Sequence, residues 1–97
     1  MNLRSDTVDK LFQTFINLET LDECYAYFED ICTVKEILDM AQRLETAILL
    51  SEGYSYQKIM EKVEISTATI DRVSKCLNYG SGGYATAIEK LKESDNA

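Results

Sequence analysis

The sequence predicts an all-α fold, and three observations carry that expectation. There is no Pro, and the four Gly stand only at positions 53, 80, 82 and 83, so the first 52 residues lack both strong helix breakers. Apolar residues recur at three- and four-residue steps along most of the chain. A Ser or Thr stands at the head of most of these periodic stretches, where an N-cap is needed. At 97 residues and 45% hydrophobic composition, the chain suits one small domain. A domain of this size buries only about two-thirds of its unfolded surface, so oligomerisation would add core.

The first helix starts at Ser5 or Asp6 and ends near Leu18, with Val8, Leu11, Phe12, Phe15 and Ile16 on its apolar face. Thr20 with Glu23 forms a capping box for the second, striped by Leu21, Cys24, Tyr25, Phe28, Ile31 and Cys32. Tyr25, Tyr27 and Phe28 read as core rather than as an aromatic ligand box. Thr33 with Glu36 opens the third helix, which runs to about Glu52 and stops at Gly53. Its apolar residues (Val34, Ile37, Leu38, Met40, Ala41, Leu44, Ala47, Ile48, Leu49 and Leu50) close round nearly the whole circumference at the C-terminal end. A helix apolar all round is buried on all sides, and so small a chain needs a second copy to do that. The expectation is a homodimer.

The segment from Gly53 to Gly80, GYSYQKIMEKVEISTATIDRVSKCLNYG, reads as a helix-turn-helix. Ser55 caps a helix carrying Ile59, Met60 and Val63, and Glu64-Ile65-Ser66 connects. Ser66 caps the second helix, with Ile70, Val73 and Leu77 inward and Ala68, Arg72, Lys75 and Tyr79 outward, flanked by Asp71. The turn position most often Gly is Glu64 here, and a left-handed conformation there would cost roughly 1 kcal/mol. Gly80-Ser81-Gly82-Gly83 then frees the backbone. Nothing in it matches a phosphate-binding loop, although the helix starting near Tyr84 could offer amides to a phosphate. That last helix carries Tyr84, Ile88 and Leu91, with Lys90 and Lys92 at its C-terminal end, and residues 93–97 should fray. Residues 1–97 thus form a single domain. Residues 1–53 make a dimerisation core, 54–80 the helix-turn-helix, and 81–97 a Gly hinge and final helix.

Charge and chemistry narrow the function. Ten Lys and Arg stand against 17 Asp and Glu, a net −7. Residues 1–53 carry net −7, residues 54–80 net +1 and residues 81–97 net −1, so the motif is the least acidic stretch. That asymmetry fits a DNA face on an acidic body and predicts weak binding to random DNA. There is no His, no nucleophile with an evident partner, and no metal pattern among Cys24, Cys32 and Cys76, so neither an enzyme nor a metal or other cofactor is expected. No apolar run approaches a membrane span, and the N-terminus lacks a signal-peptide core, which points to the cytoplasm.

The run ISTATIDRV resembles the reading helix of the Trp repressor superfamily, and GYSYQKI with ISTATIDRVSKCLNYGSGGY is similar to its YerC/YecD group. The similarity covers roughly residues 33–84 and, more weakly, the whole chain. It implies an interleaved, all-helical homodimer of about six helices per chain and a transcription regulator, acting as a repressor. Double-stranded DNA is then the expected partner. Ser66, Thr67, Ala68, Thr69 and Arg72 are the expected base or phosphate contacts, with Lys58, Lys62 and Lys75 on phosphates. Ala68 could touch a thymine methyl. The rival reading keeps the fold but makes it an acidic protein–protein interaction module without direct DNA binding. In the family two arginines flank a tryptophan co-repressor, and Arg43 and Arg72 resemble them. The family's Gly after the second arginine is Val73, and its Ser three residues further on is Cys76. Val73 is expected to fill the room an indole would need, so tryptophan is not expected as co-repressor. Any effector pocket would involve Arg43, Arg72, Val73 and Cys76.

Overall fold

Four helix starts are made by hydroxyls the sequence supplies at the right place. In the computed structural model, which describes residues 3–95, Ser5 opens α1 (Asp6–Ile16), Thr20 opens α2 (Leu21–Ile31), Ser55 opens α4 (Tyr56–Lys62) and Ser66 opens α5 (Thr67–Tyr79). Each cap residue has extended backbone, and its oxygen accepts from the amide three residues on, at 3.1 to 3.2 Å. Thr20 also donates to the Glu23 carboxylate at 3.3 Å, a variant of the expected capping box. The remaining helices are α3 (Val34–Ser51) and α6 (Gly83–Asp95). The described residues contain no strand. The tail expected to fray from Glu93 stays helical to Asp95, and residues 96 and 97, like 1 and 2, lie outside the described residues.

The chain divides into two compact units, one up to Val34 and one from Lys35. In the first, Phe15 stacks on Phe28 at 5.0 Å and meets Tyr27 edge-on at 5.8 Å, and the Thr14 and Tyr27 hydroxyls share a hydrogen bond at 2.8 Å. Tyr27 and Phe28 are thus core-like, as expected, but Tyr25 is 62% exposed. No residue of α1 or α2 is fully buried in the chain.

The second unit holds the buried residues, in two clusters that share α3. Ala47 packs with Val73 and Ile88, joining α3, α5 and α6, while Leu49 packs with Ile59 and Ile70, joining α3, α4 and α5. Thr46, next to Ala47 on α3, is fully buried, and its hydroxyl donates to the Gln42 carbonyl at 2.8 Å. The expected reason for a partner therefore moves. The C-terminal end of α3, from Thr46 to Leu50, is largely covered by α4, α5 and α6 of its own chain. The uncovered apolar residues lie earlier, at Val34 (71% exposed), Leu38 (57%) and Met40.

Gly53 ends α3 with φ of +90°, a conformation that Gly adopts without a Cβ penalty, and the Tyr54 amide returns to the Leu49 carbonyl at 3.1 Å. The α4–α5 connection works differently from expectation. Among the described residues no non-Gly has positive φ, so Glu64 is not left-handed. Val63 instead closes α4 in extended backbone, its amide on the Ile59 carbonyl at 2.8 Å, and the chain runs straight into the extended Ser66 cap.

Candidate nucleic-acid interface

The turn sets α4 against α5 through one buried contact, Ile59 on Ile70, both fully inaccessible and both against Leu49. Val63, Ile65, Tyr54 and Tyr56 close round it. Val73, one turn further along α5, is held separately by Ala47 and Ile88. Two independent anchors on one face fix the rotation of α5. Its opposite face is left open, with Ala68, Asp71, Arg72, Lys75 and Tyr79 exposed at helical spacing. Thr67 is exposed at the start of the helix beside the exposed Ser66.

The side chains differ in how free they are. Ser66 spends its oxygen on the Thr69 amide at 3.2 Å, and its hydroxyl and that of the half-buried Thr69 share a hydrogen bond at 3.0 Å. Lys58 pairs with Glu61 at 3.5 Å and Lys75 with Asp71 at 3.2 Å, while Lys62 lies over the Tyr54 ring at 5.6 Å. Exposed pairs of this kind contribute about 0–1 kcal/mol and yield readily to a phosphate. Arg72 has no ion pair, hydrogen bond or ring contact within the described residues, and neither has Arg43.

Those two arginines line one cavity of about 320 Å³ between α3 and the start of α5. Lys35, Asp39 and Gln42 line it from α3, and Glu64, Ser66 and Thr69 from the other side. Residues 35, 39, 42 and 43 recur on one helical face, a signal readable in the sequence that the charge reading passed over. Lys35 and Asp39 pair at 2.8 Å. The other two residues expected at an effector site are elsewhere. Val73 is 3% exposed against Ala47 and Ile88 and does not line this cavity. Its place is in the packing of α5 on α3 and α6. Cys76 lines a different, more apolar cavity of about 480 Å³, with Leu44, Gly80 and Tyr84. The Gly80 amide donates to the Cys76 carbonyl at 2.9 Å, and any Cβ at position 80 would collide with that oxygen. Gly at this position thus answers a close backbone approach at the C-cap of α5, while the positive φ of the Gly80–Gly83 stretch falls on Gly82.

Tyr56 is the residue that sequence reasoning missed. Its hydroxyl donates to the Asp71 carboxylate at 3.4 Å, linking α4 to the exposed face of α5. No group of three or more metal-ligating side chains is found among the described residues, and no helix is long and apolar enough to cross a membrane.

Comparison with known proteins converges. A family model described as Trp repressor protein matches residues 6–92. YerC of Bacillus subtilis (strain 168), an uncharacterized protein, is 47% identical over 93 residues, which span 96% of this chain and 89% of YerC. A TrpR-like protein from Eubacterium eligens superposes with a TM-score of 0.90 at 48% identity, covering 93% of each chain. A Staphylococcus aureus crystal structure described as a proposed Trp repressor gives 0.89 at 39% identity, covering 93% of this chain and 90% of the other.

Proposed function

The chain belongs to the Trp repressor protein family, and from that premise we propose that it is a sequence-specific DNA-binding transcription regulator, acting as a homodimeric repressor. The observation that supports this reading best is the open face of α5, on a helix anchored at both Ile70 and Val73 and carrying an unpaired Arg72. A rigid helix with its polar side free suits the major groove, where residues near the helix start meet base edges. Thr67, Ala68 and Arg72 then face bases or the nearest phosphates. Ser66 and Thr69, tied to each other and to the helix start, face phosphate. Lys58, Lys62 and Lys75 give up weak local partners for phosphates. In a dimer the two α5 helices would stand roughly 34 Å apart, one DNA turn.

Arg72→Ala tests it. Selection of bound duplexes from a random pool should enrich a site for the wild-type chain. On that site the variant should lose about 1–3 kcal/mol and relax its preference at one position. An even loss across sequences would move Arg72 to phosphate, and unchanged affinity would remove it from the interface. No enrichment by the wild-type chain would favour the acidic protein-interaction module instead.

Tryptophan is not proposed as co-repressor, and the ground is the polarity of the Arg43–Arg72 cavity rather than its fill. Charged side chains from Lys35, Asp39, Arg43, Glu64 and Arg72 line it, and Ile65 is its one apolar wall. Arg43 and Arg72 can stack on an indole, but Lys35, Asp39 and Glu64 would lose water against its remaining apolar surface without gaining partners. Calorimetric titration with L-tryptophan should show no saturable heat. Binding at one site per chain, abolished by Arg43→Ala, would reverse this conclusion.

A further inference from the structure

We infer that Asp71 is a specificity-determining residue of the reading helix: its carboxylate accepts a hydrogen bond from the exocyclic amino group of a cytosine, and it disfavours duplex that lacks one there. This rests on the DNA-binding reading above.

Asp71 is the one acid on α5, and it lies in the exposed stripe between Ala68, Arg72 and Lys75. A carboxylate in that position weakens attraction to phosphates, so on a DNA-reading face it needs another partner. The free chain holds it from two sides, and Tyr56 keeps its hold once Lys75 turns to a phosphate. Tyr56 donates to Oδ1 at 3.4 Å and Lys75 approaches Oδ2 at 3.2 Å. The side chain remains 54% exposed, and each oxygen keeps a lone pair for a further donor. An exposed pair with Lys75 contributes too little stability to account for the acid by itself.

The major groove offers amino donors only on cytosine and adenine, while guanine and thymine present acceptors or a methyl group. On adenine the amino group adjoins the N7 acceptor, which repels a carboxylate. On cytosine no acceptor adjoins it on this edge. An acid tethered by Tyr56 therefore selects cytosine and turns the other bases away. The same charge lowers affinity for random duplex, which matches the acidic body of the chain.

The experiment compares base profiles, from the same random-pool selection, for the wild-type chain, Asp71→Ala and Asp71→Asn. Wild type should prefer cytosine at one position by about tenfold or more, in the range of a good base contact. Asp71→Ala should flatten that position, leave the others unchanged, and bind random duplex more tightly with a steeper salt dependence. Asp71→Asn should shift the position toward adenine, whose N6 and N7 an amide can bridge. Circular dichroism should show unchanged helix content, and if Asp71→Ala fails to fold, the Asp71→Asn profile decides. A base profile unchanged in both variants, or an even loss across all sequences, overturns the assignment while leaving DNA binding intact. Absence of any selected site for the wild-type chain overturns the DNA reading itself.

Discussion

Ile70→Ala is expected to cost about 2–5 kcal/mol of stability, the range for truncating a buried Ile where the surroundings collapse only in part. Ile70 is fully buried and packs against Leu49 and Ile59, so the variant opens a void where α3, α4 and α5 meet. A loss of that size is a large fraction of the roughly 5–15 kcal/mol that holds a domain together. Urea unfolding followed by circular dichroism is the measurement, with Lys58→Ala as control. Lys58 has only an exposed pair with Glu61 at 3.5 Å, so its removal should change stability by no more than about 0.5 kcal/mol. Should Ile70→Ala lose less than about 1 kcal/mol, the contact between Ile59 and Ile70 would not be what joins α4 to α5.

Leu38→Glu should convert the protein from two chains to one. Leu38 is 57% exposed in the chain and lies on α3 with Val34 four residues before it, also uncovered. In a single chain a Glu there would sit harmlessly in water. In the proposed dimer it would be buried without a partner, at a cost of about 3–5 kcal/mol, incurred at both copies because a two-fold interface repeats each residue. Sedimentation equilibrium at micromolar concentration should give twice 11.0 kDa for the wild-type chain and 11.0 kDa for the variant. A wild-type mass of one chain with full helix content would end the dimer proposal. A variant that stays dimeric would move the interface away from Leu38.

What could be read from the sequence divides by range. Caps at Ser5, Thr20, Ser55 and Ser66 are visible because an N-cap involves residues three apart, and all four form. Gly53 as the stop of α3 is local in the same sense, and it takes the positive φ that Gly is used for. The inward set on α5 follows from periodicity, and Ile70 and Val73 are buried. Periodicity does not say which neighbours an inward residue meets. Val73 and Ile70 point to the same side of α5 yet enter different clusters, and this separates Val73 from the arginine cavity. In the same way an all-round apolar helix end announces burial without naming what buries it, and here α4, α5 and α6 do most of the work at Leu49 and Ala47. The Tyr56–Asp71 link joins residues 15 apart across two helices, and neither helix's own pattern contains it. The turn at Glu64 misled for a different reason: a tight connection can be made from extended residues on both sides, without any left-handed one.

The absence of a buried residue in α1 and α2 has a consequence for dosage. In the proposed dimer, where such a pair of helices would finish its core on the second copy, the active species is tied to a bimolecular encounter. At low expression most copies would be single, and the active pair would grow with the square of chain number. At high expression it would grow only in proportion. Dilution of the chain by cell growth without new synthesis would then lower the active pair more steeply than the total chain concentration, by mass action alone and without any effector.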